Sequence, residues 1–403
     1  MSLDVLTILG GQPAFVEPLH VGRPNIAGQE LFLDRVRDIF ERRWLSNNGA
    51  YVQQLESLLC ERLGVRHCIP VCNGTVALQL AINACKLAGE VIVPSFTFVA
   101  TANAALWQGI KPVFCDVDPA THLATVETIE KCITPQTSAI LAVHTWGQPC
   151  DPIALQELAE RFGLYLIFDA AHAFGCSFGD RVIGGFGNAE VFSFHATKFF
   201  NTFEGGAVAT DDDDLARSIR LMKNFGFVGY DDAEVIGING KMTEICAAMG
   251  VTGLAHIDAF ITRNRENYSR YAEGLDKLNG VRLLLYDVSN RSNYQYVVLD
   301  IDPAQCSLCR DDLLEVLWRE NVLARRYFYP GCHRMPAYSP LYDGPELPGT
   351  DRVSQGVLVL PTGTGVSDTD IDTICAIIRR ALQDAESVQN VLISSARLIR
   401  PVG

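Results

Sequence analysis

Lysine is scarce in this 403-residue chain: seven (86, 111, 131, 198, 223, 241 and 277) among 33 Lys and Arg. With a formal net charge of −14, the chain shows no clustered basic surface able to neutralise a phosphate backbone, so neither nucleic acid nor an anionic membrane is expected as a partner. No apolar run approaches the ~18 residues of a membrane span, and no internal repeat or low-complexity tract is visible. The 13 cysteines are scattered rather than spaced as a disulfide framework, and no secretory leader pattern precedes them, which reads as reduced thiols in the cytoplasm. Cys306-Ser-Leu-Cys309 has no second pair at zinc-ribbon spacing, so no metal is expected. A nicotinamide site is also missing: neither Gly184-Gly-Phe-Gly187 nor Gly363-Thr-Gly365 makes a GxGxxG turn between strand and helix.

What is present is a soluble, globular composition, 48% hydrophobic and 20% charged, with one lysine in an unusual setting. Val191-Phe-Ser-Phe-His-Ala-Thr-Lys198-Phe-Phe places Lys198 among small and apolar residues ahead of a short strand. Burial lowers the pKa of a lysine and suits it to act as a Schiff-base nucleophile and proton shuttle. Upstream, Leu164-Tyr-Leu-Ile-Phe168 reads as a buried parallel strand ending in Asp169-Ala-Ala-His172, and the carboxyl edge of such a sheet is where ligands bind. Asp169 is there either a helix cap or a partner for a protonated pyridine nitrogen. Val71-Cys-Asn-Gly74-Thr75 leads into an apolar helix, so Gly74 and Thr75 are either a simple turn or an N-terminal phosphate site.

Together, Gly74-Thr75, Pro94-Ser-Phe-Thr-Phe98, Asp169-Ala-Ala-His172, Ser193-Phe-His-Ala-Thr-Lys198, Glu204-Gly-Gly206 and Gly237-Ile-Asn239-Gly-Lys241 resemble the DegT/DnrJ/EryC1/StrS family of pyridoxal-phosphate sugar aminotransferases over almost the whole chain. Val21-Gly-Arg-Pro-Asn25, Trp44-Leu-Ser-Asn47-Asn48-Gly49, His144-Thr-Trp-Gly-Gln-Pro-Cys150, Asn224-Phe-Gly-Phe227 and Tyr329-Pro-Gly-Cys-His333 are similar to the branch, as in desosamine biosynthesis, that aminates C-4 of a nucleotide-linked 4-keto-6-deoxyglucose.

The resemblance implies an aspartate-aminotransferase type of α/β fold with a mainly parallel sheet and a smaller C-terminal α+β domain. The expected division is an arm over residues 1–30, a large domain over 31–255 and a small one over 256–403, with a long helical run from about Thr243 to Leu278 bridging the two. Tyr294–Ile301 and Val322–Tyr329 are expected strands, Gln29–Phe40 and Arg310–Glu320 expected helices. Asp211-Asp-Asp-Asp214 is expected to cap the helix that follows it.

It also implies roles. Lys198 would be the covalent attachment point of pyridoxal 5′-phosphate, Asp169 would hold the pyridine nitrogen, and Gly74, Thr75 and Ser193 would bind the phosphate. Phe98 would stack on the ring, His172 would hydrogen-bond the phenolic oxygen, and Asn239 would reach the phosphate from a partner subunit in a homodimer. L-glutamate would convert the cofactor to pyridoxamine phosphate, and the nucleotide sugar, expected to be a dTDP sugar, would take the nitrogen. Trp44, Asn47, Asn48, Lys241, Tyr329 and His333 are the substrate-side candidates, with Arg325-Arg326 as the basic patch for the anionic nucleotide. Three rivals stand beside this reading: amination of a 3-keto sugar or ketocyclitol, a family dehydratase, against which Lys198 counts because those carry histidine there, and a non-catalytic regulator on the same fold.

Overall fold

Short Val- and Ile-rich runs in the first half of the chain become strands because the segments between them form helices that cover both faces. The computed structural model describes residues 5–398. After a two-residue strand β1 (Leu19–His20) come β2 (His67–Val71), β3 (Glu90–Pro94), β4 (Lys111–Cys115), β5 (Thr137–Val143) and β6 (Tyr165–Asp169). A small hairpin, β7 (Ser177–Phe178) with β8 (Arg181–Val182), precedes β9 (Ala189–Ser193) and β10 (Gly206–Thr210). Seven of these form one sheet in the order β2-β10-β9-β6-β5-β3-β4. Only β10 runs antiparallel to its neighbours; the other pairs are parallel. Helices α1 (Gln29–Arg42), α2 (Ala50–Leu63), α3 (Gly74–Ala84) and α4 (Val99–Leu106) belong to this half, which has one apolar core on each face of the sheet.

The acidic run caps a helix as its composition suggests: the Asp212 side chain accepts from the N–H groups of Asp214 and Leu215 at the head of Asp213–Met222. The long helix expected from Thr243 to Leu278 is instead two, Glu244–Leu254 and Ile257–Gly274, bent by 64°. The first is buried nearly all round, while the second buries only one stripe, so the two pack in different layers and the axis must turn between them. Neither these nor any other single helix among the described residues is long and apolar enough to cross a membrane. We propose this bend as the domain boundary expected at residue 255. Beyond it lie β11 (Val281–Leu283), β12 (Val297–Ile301), β13 (Val322–Leu323) and β14 (Val357–Leu360); β11, β12 and β14 make an antiparallel sheet with its own core.

The strand expected over Val322–Tyr329 stops after Leu323. Tyr327 and Phe328 both face one cavity, which consecutive residues of a strand cannot do because they point to opposite sides. The described part of the N-terminal arm is fastened to the rest of the chain. Leu6, Ile8 and Leu19 enter the small-domain core, β1 pairs with β13, and buried Glu320 accepts from the N–H groups of Thr7 and Ala14 at 2.7 and 2.8 Å. Further along, buried Asn25 donates to the Phe199 carbonyl at 2.9 Å and accepts from the Thr364 N–H at 2.7 Å.

Candidate active site

The carboxyl ends of β2 and β9 and the amino end of the antiparallel β10 converge on the first turn of α3. Asn73 caps that helix, its Oδ1 accepting from the Val76 N–H at 2.8 Å. The N–H groups of Gly74 and Thr75 precede the internal ladder and remain available to an anion. Glycine is required at two points of this junction. A Cβ on Gly74 would lie 2.9 Å from Ser193 Cβ, and one on Gly206 would lie 2.7 Å from Gly74 N. The result is a tight cradle of backbone donors with the Thr75 and Ser193 hydroxyls beside it.

Asp169 ends β6 and is buried. Its Oδ2 accepts from Thr101 Oγ1 at 2.8 Å and its Oδ1 from the Ala171 N–H at 3.1 Å; Thr101 in turn contacts Thr97 Oγ1 at 2.9 Å. Burial pushes the Asp169 carboxyl above the usual range, and these two hydrogen bonds and the Lys198 ammonium pull it back. Phe98, at the N-cap of α4, is about half exposed and lines the same space.

Lys198 follows β9 in a turn closed by its own N–H to the His195 carbonyl. Phe194, Phe199 and Phe200 anchor that turn against Phe174 and Phe192, so the apolar neighbours noted in the sequence are the clamp that holds the loop. Nζ lies 3.5 Å from the Tyr296 hydroxyl. Burial lowers the ammonium to a pKa of about 8, opposed in part by the Asp169 carboxylate. His172 is buried beside it, and burial together with the Lys198 charge hold its imidazole well below the usual range, hence neutral.

Gly74, Thr75, Phe98, Asp169, His172, Ser193 and Lys198 all line one cavity of about 750 Å³. Arg325 reaches it too, its guanidinium over the Tyr327 ring. Thr97, Thr101 and Tyr296 are site residues the sequence reading passed over. The i, i+4 pair Thr97/Thr101 across an otherwise apolar helix start was a usable signal; nothing in the sequence pointed to Tyr296.

The remaining candidates lie elsewhere. Asn47, Asn48 and Lys241 line a second, open groove of about 650 Å³ with Glu56, Arg220 and Lys223. Trp44 is exposed beside Gly49. Lys241 donates to Asn224 Oδ1 at 3.0 Å, and exposed Asn239 is bridged to Asn224. Tyr329 sits under the guanidinium groups of Arg310 and Arg326, and Arg326 pairs with Asp311. His333 is buried, with Nδ1 2.7 Å from Ser95 Oγ. Tyr329 and His333 are not among the residues lining either space.

Residues 27–379 match the DegT/DnrJ/EryC1/StrS aminotransferase family. The chain is 37% identical over 364 residues, 90% of its own length and 99% of the relative's, to a dTDP-4-amino-4,6-dideoxy-D-glucose transaminase of Shigella dysenteriae. It is 32% identical to a GDP-perosamine synthase of Vibrio cholerae, over 89% of this chain and 98% of that protein. Among solved structures, DesI in the presence of its TDP-sugar product superposes with a TM-score of 0.92 at 43% identity, covering 98% of this chain and all of that one.

Proposed function

The chain belongs to the DegT/DnrJ/EryC1/StrS aminotransferase family, and from that premise we propose that it transfers an amino group from L-glutamate to C-4 of a nucleotide-linked, dTDP-type 4-keto-6-deoxyhexose. It is a sugar-nucleotide aminotransferase; the Shigella transaminase and DesI support amination at C-4 over the 3-keto sugar and ketocyclitol alternatives. The observation that carries the reading is one cavity holding the buried lysine, the buried carboxylate and the anion-accepting helix start together.

Those residues fit pyridoxal phosphate. The missing Cβ atoms of Gly74 and Gly206 let the helix start, Ser193 and β10 pack against one another, which gathers backbone N–H groups and the Ser193 hydroxyl where a phosphate could be held, and Asp169 is held by two donors with its charge facing the cavity. Bound there, the cofactor would supply the carbonyl that carries nitrogen between substrates and a ring able to take up electrons. Lys198 Nζ would be the attachment point and, once freed, the base that moves the proton between cofactor and substrate carbon. A pKa of about 8 leaves an appreciable neutral fraction at neutral pH. Asp169 would keep a proton on the ring nitrogen, Phe98 would cover one ring face, and Arg325 offers the cavity a cation without a carboxylate partner among the described residues.

The reading extends to a homodimer with shared sites in the cytoplasm. Asn239 is exposed and absent from its own chain's cavity, as a residue serving a partner must be, and the same loop exposes Phe225, Phe227, Tyr230, Ile236 and Ile238, an apolar face suited to a second copy. The test is a panel of nucleotide ketosugars with glutamate, the amino position of the product being read by NMR. Borohydride reduction with peptide mapping checks the cofactor, and a label on a lysine other than Lys198 would overturn the assignment.

A further inference from the structure

Two groups outside the expected constellation, His122 and Trp146, form a continuous chain that ends on His172. Trp146 is fully buried with a left-handed backbone, φ 64° and ψ 5°, a conformation unfavourable for a bulky side chain. Its indole Nε1–H donates to His122 Nδ1 at 3.1 Å. The ring is wedged edge-on against Phe96 and Tyr296 and stacked on Phe328. Held this way, the backbone turns its own N–H toward His172 Nδ1, 3.3 Å away. Gly147, at φ 83°, lets the loop approach so closely that a Cβ there would lie 2.8 Å from the His172 carbonyl.

We propose that Trp146 is a positioning residue that locks His172 as the Nε2–H tautomer, so that the imidazole presents a fixed N–H donor to the cavity. An N–H aimed at Nδ1 demands a lone pair there, and a neutral imidazole then carries its proton on Nε2. His172 lines the cavity, and its neutrality follows from burial beside Lys198. The same logic holds one step back: the indole donor forces the His122 proton onto Nε2, a buried atom with no hydrogen-bond partner among the described residues. An unpartnered polar atom is unfavourable, and here it accompanies the hydrogen bond that fixes the indole.

The meaning of this lock for catalysis rests on the proposed aminotransferase reading, but the lock itself can be measured without it. In the full-length protein labelled with ¹⁵N-histidine, two-bond ¹H–¹⁵N spectra report each tautomer, and His172→Gln identifies the His172 signals. We expect a single Nε2–H form across the neutral range, with or without added pyridoxal phosphate. An Nδ1–H form, an averaged mixture or an imidazolium would overturn the proposal. Trp146→Phe keeps a ring but removes the indole donor, and His122→Leu removes its acceptor from the other side should the first variant fold poorly; either should turn the single form into a mixture. An unchanged tautomer in both would remove Trp146 from the argument. For turnover, Trp146→Phe should lower kcat about 10-fold with KM little changed, yet add no further loss in a His172→Gln background. Additive losses would make Trp146 merely structural.

Discussion

The cavity and the open groove are of similar size and opposite construction. In the cavity every chemical group is braced from within the chain: Asp169 by Thr101 and the Ala171 N–H, Lys198 by an aromatic clamp, the helix start by two glycines. In the groove, Asn47 and Asn48 stand in left-handed conformations on a loop, Lys241 leans on an exposed Phe225 ring at 4.7 Å, and the adjoining loop offers apolar side chains to solvent. The difference separates two tasks. On the proposed function, chemistry would be set by groups one chain can pre-organise, whereas the groove would be completed by a second copy in the proposed homodimer.

The sharpest break of this comparison is Lys198→Ala, which should reduce turnover about 10,000-fold or more while leaving the phosphate cradle able to bind cofactor; a purified variant with near-native rates would remove the lysine from the chemistry. Asp169→Asn keeps the shape and loses the charge, and a fall of about 100- to 1,000-fold in both half-reactions is expected. Stopped-flow spectra of each half-reaction with unchanged rates would count against its role. The proposed sharing of sites is probed by complementation. In a mixed dimer of Lys198→Ala and Asn239→Ala chains, one site collects both defects and the other neither, so about half the sites should work. Proven subunit exchange without recovered activity would mean that Asn239 serves its own chain.

Smaller effects test the bracing. Thr101→Val removes the hydroxyl on Asp169 Oδ2 and should cost about 1 kcal/mol of stability, measured by denaturant unfolding, and about 10-fold in rate. Finally, only neutral Lys198 can attack, so uptake of pyridoxal phosphate by cofactor-free protein should accelerate with pH and level off above about 8. Because the Asp169 carboxylate raises the pKa of this lysine, Asp169→Asn should move the inflection lower. An inflection near that of an ordinary surface lysine would mean the amine is not desolvated.

Local order in the sequence carried much of this arrangement. The strand Glu90–Pro94 and the capped start of α3 follow from short-range pattern, since alternation, apolar runs and an Asn before Gly act over a few residues. That Asp169 and Lys198 share one site was legible only through the family resemblance, because the strand that precedes the lysine, Ala189–Ser193, was not read from the sequence. What escaped depends on distant partners. The turn between Leu254 and Ile257 is imposed by two packing layers, the early end of the strand at Leu323 by side chains drawn into the cavity, and the contact of Tyr296 with Lys198 by docking of the small domain across 98 residues of sequence. Residues 1–30 read as an arm because of their Pro and Gly content; the sockets of its apolar residues lie some 300 positions later.

That separation bears on how the molecule comes off the ribosome. Asn25 is made early, but the backbone N–H that completes its grip, on Thr364, lies 339 residues on, and the same side chain holds the carbonyl directly after Lys198. Glu320, which fastens Thr7, is 313 residues away. Contacts of such span close late. The lysine loop therefore waits for almost the whole chain to be synthesised before it is fully fastened, and a nascent polypeptide that already displays the seven-stranded sheet does not yet carry a finished reactive amine.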